Sequence, residues 1–297
     1  MSEFEVQVGA GIHPPAKVLI IGAAGYVGTH TARAFVQSGY QVTGLQRPGG
    51  TKVSARYPTV PGDLTDPASL TRAAQGFDLV VNLGPPLDEE RDLAAIDALL
   101  ASGVPLIHTS GSDVSGEGYR AEDTLPTPHP FVGWRDTVER RAVEGGGIVV
   151  RPGLIYGNGG GVVGDMWIPL RDRVGAGVYI GEPGVRWAAV HVEDLAWLYV
   201  AMAAKAAPGT YWHGVAESIE VDAIADVIGG GKTISWPLDE EPPAEIAVLA
   251  GLFRLDQEVS AVKTRHLLGW SPAYPSIVTA LRHELRREPM TDWRDRR

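Results

Sequence analysis

The stretch KVLIIGAAGYVGTHTARAF, residues 17–35, decides the fold of this 297-residue chain. An apolar run of strand length, Lys17 to Ile21, is followed by glycines at 22, 25 and 28 and at once by a helical pattern. Strand, tight turn and helix in this order are typical of a dinucleotide site, where glycines turn the chain and admit a pyrophosphate. Unpaired N–H groups at the helix start stabilise the phosphates. An ordinary glycine-rich turn is the alternative, because the chain contains 37 glycines.

The composition excludes several classes of protein. No apolar run approaches the roughly 18 residues that a membrane span needs, and the first sixteen residues lack a basic start and an apolar core. We therefore expect a cytoplasmic protein without a secretory signal. The absence of cysteine excludes disulfides, thiolate nucleophiles and iron–sulfur clusters. A net charge of −10 argues against nucleic acid or membrane as partner, and the eight scattered histidines suggest no metal site.

The end of the second predicted strand, Tyr40 to Gln46, bears on the choice of cofactor. Dinucleotide folds that prefer NAD carry an acid there, which binds the ribose 2′-hydroxyl. This chain has Gln46 followed by Arg47, whose guanidinium suits a 2′-phosphate. The sequence therefore favours NADP(H) over NAD(H), with a solvated arginine as the alternative interpretation of Arg47. Further along, Asp66 is predicted to cap a helix that begins at Pro67, and Asp63 either faces the adenine or stabilises a turn.

Strands and helices alternate as far as Tyr156, which predicts an α/β fold with a Rossmann doubly wound parallel sheet. A polar cluster, residues 110–113, follows the fifth strand, at a sheet edge where ligands bind. Beyond Tyr156 the regularity ends, and we expect a smaller C-terminal substrate lobe, with a helix over 167–178. The polar tails 1–15 and 284–297 are predicted to fray.

The motifs together resemble the extended short-chain dehydrogenase/reductase family of NDP-sugar epimerases, dehydratases and reductases. They are GAAGYVG, GDLTD, VVNLGPP, HTSGS, VVRPGLIYG, VHVEDLA and LLGWSP, spread from about 17 to 282. The resemblance implies a Rossmann domain over 17–158 and 190–211, a substrate lobe over 159–189 and 212–283, and a homodimer formed through helices 88–102 and 131–144. It also implies a cofactor site made of Gly22, Gly25, Tyr26, Val27, Gly28, Arg47, Asp63, Leu64, Leu83, Gly84, Arg135 and Pro152.

The chain departs from the family at the reaction centre. The family uses a YxxxK pair, in which tyrosine is the acid/base and lysine lowers its pKa and holds the nicotinamide ribose. Here the equivalent positions are Phe131 and Arg135, and Gly111 stands where the family has a catalytic serine or threonine. Phenylalanine cannot transfer a proton, which removes a contribution of roughly 10²- to 10⁴-fold. Arg135 retains donors for the ribose but is a poor proton shuttle.

Replacement groups must then come from elsewhere in the chain. The predicted catalytic set is Ser110, Ser112, Arg135 and Tyr156, with the two serines as substrate anchors and Tyr119 and His129 as further candidate acids. The alternatives are that Tyr156 only packs at the strand end, that His129 is solvated, and that the serines satisfy loop backbone. Arg186 resembles the diphosphate-binding arginine of the family, although one extra residue separates it from His191. Four tryptophans are candidates for a flat apolar pocket, with core packing as the alternative: Trp134, Trp167, Trp187 and Trp212.

Three functions fit this pattern. The first is an NADP(H)-dependent oxidoreductase or epimerase/dehydratase-type enzyme acting on a small oxygenated or sugar-like metabolite with a non-standard acid/base. The second is a non-redox lyase, isomerase or cyclase that uses the same cleft. The third is an NADP-binding regulator that has lost catalysis. A deep cleft between Ser110, Tyr156 and the nicotinamide face favours an enzyme, whereas a filled one favours the regulator.

Overall fold

The computed structural model describes residues 7–53 and 56–286. Its fourteen strands, numbered in chain order among those residues, are β1 (Lys17–Ile21), β2 (Gln41–Gln46), β3 (Thr59–Pro61), β4 (Leu79–Asn82), β5 (Leu106–Thr109), β6 (Gly118–Arg120), β7 (Ile148–Pro152), β8 (Leu154–Gly157), β9 (Gly177–Ile180), β10 (Arg186–His191), β11 (Thr210–Gly214), β12 (Glu217–Glu220), β13 (Thr233–Trp236) and β14 (Gln257–Val259). The α-helices of the same residues are α1 (Tyr26–Gln37), α2 (Pro67–Ala74), α3 (Glu89–Ala101), α4 (Gly133–Glu144), α5 (Ile168–Val174), α6 (Val192–Lys205), α7 (Val221–Ile228), α8 (Val262–Leu268) and α9 (Ile277–Glu284).

Seven parallel strands form the central sheet in the order β11-β7-β5-β4-β1-β2-β3. Both faces of β1 are buried, because Val18 and Ile20 pack towards α1 and α6 while Leu19 and Ile21 pack towards α2, α3 and α4. Burial on two faces explains why the strand is apolar at every position after Lys17. The predicted doubly wound Rossmann sheet is confirmed.

The smaller lobe is built around a second apolar core. Its frame is the parallel pair β9–β13 with α5, α7 and α9, and one turn of π-helix, Val163–Trp167, precedes α5. The predicted helix over 167–178 is wrong at its end: Gly175 adopts φ +80° and stops α5, and the chain then enters β9. Left-handed backbone at a glycine is a common helix terminator.

The structure differs from the predicted domain division at one boundary and in the placement of part of the C-terminal third. The boundary at Tyr211 falls inside β11, which completes the central sheet and carries Trp212 into the core behind α6. The helix α8 and Trp270 also pack on this core, so part of the C-terminal third returns to the large sheet. The chain therefore passes between the large sheet and the smaller lobe more often than the sequence predicted.

The predicted tails are ordered where the structure describes them. Gly9 and Ile12 donate backbone hydrogen bonds to Lys205 and Ala203 at the end of α6. Glu284 lies in α9 and accepts a hydrogen bond from the backbone of Asn158 at 3.0 Å. Fraying was therefore the wrong expectation for residues 7–15 and for Glu284, while 1–6 and 287–297 lie outside the described residues.

Helices α3 and α4, which the resemblance assigns to a dimer interface, pack side by side on one face of the sheet. An ion pair joins Arg141 to Asp97 on their outer surface, with N–O 2.5 Å and both side chains about half exposed. The homodimer stays a prediction.

Candidate active site

The glycine-rich turn after β1 has the geometry that its spacing predicts. Gly22 adopts φ +83°, and a Cβ there would lie 2.6 Å from the carbonyl oxygen of Leu83. A Cβ on Gly28 would lie 2.0 Å from the carbonyl oxygen of Gly22, so α1 can approach β1 only without a side chain. Gly25 caps α1 with no side-chain bond to its first N–H groups, and the first turn of α1 carries no acid. This N-terminus fits a dinucleotide phosphate.

Gln46 at the end of β2 and Asp63 after β3 both form hydrogen bonds within their own loops. Gln46 accepts a hydrogen bond from Val53 N at 2.9 Å and donates to two loop carbonyls, so it holds the 47–53 loop. Asp63 accepts from the backbone and the hydroxyl of Thr65 at 2.9 and 2.8 Å. These bonds, and the nearby charge of Arg47, lower the pKa of Asp63. Asp63 therefore stabilises a turn, and Arg47 is exposed beside it.

A cleft of about 330 Å³ opens where the central sheet meets the smaller lobe. One end is polar and is formed by Ser110, Ser112, Asp113, Arg135 and Gln257. Most of the remaining wall is apolar, and it includes Pro152, Leu154, Ile155, Val162, Trp187, Leu249, Leu252 and Leu255. Tyr26 lines the same cleft, which places the glycine-rich turn next to it. A second, narrower cavity lies behind Ser110 and Arg135 and is bordered by Leu64, Asn82, Gly84, His108 and Trp134.

Ser110 occupies the boundary between the two cavities, directly after β5. Its side chain is buried, and its Oγ has no partner of hydrogen-bond geometry within 7–53 and 56–286. The hydroxyl nevertheless lies near enough to Glu139 to lower the pKa of that carboxyl, against the larger upward effect of burial. The Ser110 hydroxyl therefore lies beside the buried Glu139 carboxyl and borders both cavities.

Arg135 and Asp113 form an ion pair beside Ser110, with Nη1–Oδ2 3.6 Å, and each side chain is less than one-fifth exposed. A Cβ on Gly111 would lie 2.4 Å from Asp113 Oδ1 and 3.1 Å from Arg135 Nη1. The ion pair thus fills the space that a side chain at position 111 would take. Burial, and to a smaller extent the charge of Arg135, lowers the pKa of His108 to about 3, so this imidazole is neutral.

Tyr156 does not reach the cleft, contrary to its predicted catalytic role. The side chain is fully buried in the core of the smaller lobe, packs edge-on against His191, and donates to the carbonyl of Tyr274 at 3.3 Å. Burial raises its pKa well above the usual tyrosine range. A phenol in this position has no path to a ligand in the cleft.

Tyr26 faces the cleft instead, although the sequence assigned it only to the cofactor. Its hydroxyl donates to the carbonyl of Gly157 at 2.5 Å, and burial raises its pKa. Gln257 was not predicted at all: its Nε2 donates to the carbonyls of Ser112 and Gly116 at 2.9 and 2.7 Å and so fixes the polar loop. No motif marks Gln257, because its partners are backbone atoms far away in the chain.

Some of the remaining candidate residues line a cavity and others do not. Trp187 lines the cleft and Trp134 the narrow cavity, whereas Trp167 and Trp212 are core residues. Tyr119 is mostly exposed and lies outside the cleft. His129 accepts a hydrogen bond from the backbone of Phe131 at 3.3 Å.

Comparison with known proteins agrees with this arrangement. Residues 18–130 match the NAD dependent epimerase/dehydratase family. Over these residues the predicted resemblance to epimerases and dehydratases is confirmed. An uncharacterised protein of Schizosaccharomyces pombe is 28% identical over 291 residues, covering 89% of this chain and 98% of the relative.

Solved structures of epimerases and dehydratases share the fold. One is a dTDP-glucose 4,6-dehydratase from Bacillus anthracis in complex with NAD, with TM-score 0.74 and 16% identity over 91% of this chain and 96% of the other. Another is a UDP-glucuronic acid 4-epimerase from Bacillus cereus in complex with UDP-glucuronic acid and NAD, with TM-score 0.71 and 19% identity over 89% and 96%. At this identity the likeness concerns the fold.

The positions of the family's YxxxK pair differ here in place as well as in type. Phe131 lies in a turn ahead of α4, is 59% exposed and does not line the cleft. Arg135 lies on α4 and reaches both cavities. Only the second position of the pair therefore remains at the site.

The described residues include no group of three or more acids and histidines that could hold a metal ion, and none of their helices is long and apolar enough to cross a membrane.

Proposed function

We propose that this protein is a nicotinamide-dinucleotide-dependent oxidoreductase that acts on a small oxygenated molecule without a tyrosine acid/base. The observation that carries the proposal is the position of the buried Ser110 hydroxyl at the end of β5, where it borders both cavities beside Arg135 and close to the glycine-rich turn. The ends of parallel strands are where ligands bind in such sheets. The open cleft supports an enzyme over a regulator.

The residues present fit the dinucleotide. The N-terminus of α1 would hold the pyrophosphate, and Arg135 would hold the nicotinamide ribose. The bound nicotinamide would supply hydride chemistry. We propose NADP(H) as the preferred form, because Arg47 follows β2 where an NAD-preferring protein has an acid.

Within the cleft, the Ser110 hydroxyl would donate a hydrogen bond to the substrate oxygen. Arg135 would stabilise negative charge on that oxygen through its positively charged guanidinium. Asp113 holds Arg135 in place and moderates its charge. A fixed donor beside a fixed cation is the arrangement that stabilises a developing alkoxide.

Two measurements test the proposal. Calorimetry with NADPH and NADH should give binding below millimolar concentrations, and substrate turnover should change absorbance at the nicotinamide band. Ser110→Ala should reduce kcat/KM by about 10²-fold or more, as loss of one such donor does. Ser115→Ala is the matched control, because Ser115 is also buried in this turn but does not line the cleft.

Three results would contradict the proposal. They are the absence of cofactor binding, turnover with no change in the nicotinamide absorbance, and equal losses in the Ser110 and Ser115 variants. The second of these would favour a lyase, isomerase or cyclase on the same fold.

A further inference from the structure

The charges around the cleft limit what it can bind. Among the described residues that line it, Arg135 is the one permanent cation and Asp113 the one carboxylate, and they pair with each other at 3.6 Å. The wall therefore carries no net positive charge. A diphosphate of charge about −2 needs several cations or N–H donors, since its desolvation is otherwise uncompensated.

Arg186, which resembles the family's diphosphate-binding arginine, is bound to two carboxylates of this chain. Arg186 Nε and Nη2 each donate to Asp256 at 3.0 Å, and Nη1 donates to Glu258 at 2.7 Å. These two carboxylates raise the pKa of Arg186 and leave a net negative charge around it. Arg186 does not line the cleft, whereas Trp187 and Ala188, the next residues of β10, do.

The rest of the cleft suits hydrocarbon. Trp187 is held by a hydrogen bond from its indole N–H to the carbonyl of Leu252 at 2.9 Å, and it packs on Phe253 with ring centroids 4.7 Å apart. Leu249 and Leu255 extend this apolar wall. At about 330 Å³ the cleft lies near the small end of ligand pockets, which range over roughly 300–1,000 Å³.

We infer that the substrate is a small, uncharged and largely hydrocarbon carbonyl compound, or the corresponding alcohol, and not a nucleoside-diphosphate sugar. The inference rests on the proposed function and names its substrate class. Its oxygen would meet Ser110 and Arg135, and its hydrocarbon part would lie along Leu252 and Trp187. In reduction, NADPH is oxidised to NADP⁺, a hydride is added to the carbonyl carbon, and a proton from solvent is finally added to the oxygen.

A series of straight-chain aldehydes from butanal to octanal, with NADPH, tests this inference against UDP-glucose. We expect kcat/KM to rise roughly threefold to fourfold for each added methylene until the cleft is full, because each buried methylene gains apolar transfer energy. With NADP⁺ present, calorimetry should detect no binding of UDP-glucose at 1 mM. Binding or turnover of UDP-glucose in preference to every aldehyde would overturn the inference.

Leu252→Gln places a polar amide in the apolar wall and should lower kcat/KM for hexanal at least tenfold, with NADPH affinity unchanged. Leu125→Gln is the matched control, since Leu125 is 83% exposed and away from the cleft. Equal effects of the two variants would count against the apolar wall as the substrate site. If NADPH binds but no aldehyde is reduced, this inference fails and the cofactor assignment stands; if NADPH does not bind, the proposed function itself fails.

Discussion

Glu139 on α4 accepts two hydrogen bonds from Arg151 on β7, with Nε–Oε2 2.9 Å and Nη2–Oε2 2.5 Å, in the interior of the protein. Neither side chain is more than 3% exposed. Burial raises the pKa of Glu139, and the charge of Arg151 opposes that shift. The pair fixes α4, and therefore Arg135, against the sheet next to Ser110.

Glu139→Ala should destabilise the protein by about 3–5 kcal/mol, because it leaves Arg151 buried without its partner. Urea denaturation measures the change. The control is Asp97→Ala. It breaks the half-exposed ion pair between Asp97 on α3 and Arg141 on α4, the helix that carries Glu139, and should cost less than about 1 kcal/mol. Replacing both buried partners, Glu139→Leu with Arg151→Met, should recover much of the loss. Similar costs for the two alanine variants would show that the buried pair has no special role.

Gly111→Ser restores the family's residue type at this position and should impair the enzyme. The new Cβ would lie 2.4 Å from Asp113 Oδ1, so the Asp113–Arg135 pair must separate. We expect kcat/KM to fall at least tenfold, measured with the best aldehyde substrate. Removing the obstructing carboxylate, Gly111→Ser with Asp113→Ala, should recover part of the loss. A gain in activity from the single change would contradict this account of the site.

Restoring the tyrosine and lysine of the family should not restore its chemistry. Phe131→Tyr adds a hydroxyl to an exposed turn outside the cleft, so kcat should barely change. Arg135→Lys should weaken cofactor binding by about 1–3 kcal/mol, because one ammonium replaces a planar fork of donors. The double variant should lose as much as Arg135→Lys alone. A large gain in turnover in the double variant would show instead that the present chain is a reductase that has lost its catalytic pair.

Arg47→Glu should weaken NADPH binding far more than NADH binding, because it removes a cation and adds repulsion to the 2′-phosphate. Titration of both cofactors measures the effect. Arg254→Glu makes the same charge change at an exposed site of the smaller lobe and should leave both affinities unchanged. Equal losses for NADPH and NADH in the Arg47 variant would rule out Arg47 as the discriminating residue.

Two buried histidines predict loss of stability in mild acid. Burial lowers the pKa of His108 to about 3 and that of His213 to about 4, from about 6.5 in the unfolded chain. The unfolded state therefore binds more protons below pH 6.5, and stability present above that pH is lost as the pH falls. At pH 5 each histidine should cost about 2 kcal/mol. Urea denaturation at pH 7 and pH 5 measures this loss of stability. His108→Gln should remove about half of the loss. If the variant loses as much stability as the unchanged protein, His108 does not cause it.

The sequence predicted the large sheet because its strands, buried on both faces, are continuous apolar runs. It also predicted the cap of α2, where Asp66 accepts a hydrogen bond from Ser69 N at 3.2 Å and Pro67 takes the first helical position. Both features depend on residues that are close together in the sequence, so a local pattern is enough to predict them. The prediction failed at the end of α5, where Gly175 stops the helix that the sequence extended to 178.

The candidate site was predicted only in part. Ser110 and Arg135 were found because strand ends and family motifs mark them, and the structure brings both to one cleft. Tyr156 was misplaced, because no local pattern shows on which side of β8 a cleft lies. The pair of Glu139 and Arg151 was missed, although an arginine within the apolar run IVVRP signals a buried partner.

The pairing of β6 with β14, and the bonds from Gln257 to the loop after β5, join the two sides of the cleft directly. Many two-domain enzymes release product by bending at a hinge of a few residues. In this chain such bending would have to break those strand and side-chain contacts together. A product formed in the cleft would therefore have to leave through the existing opening, and a bulky substituent would meet walls that domain opening does not relieve.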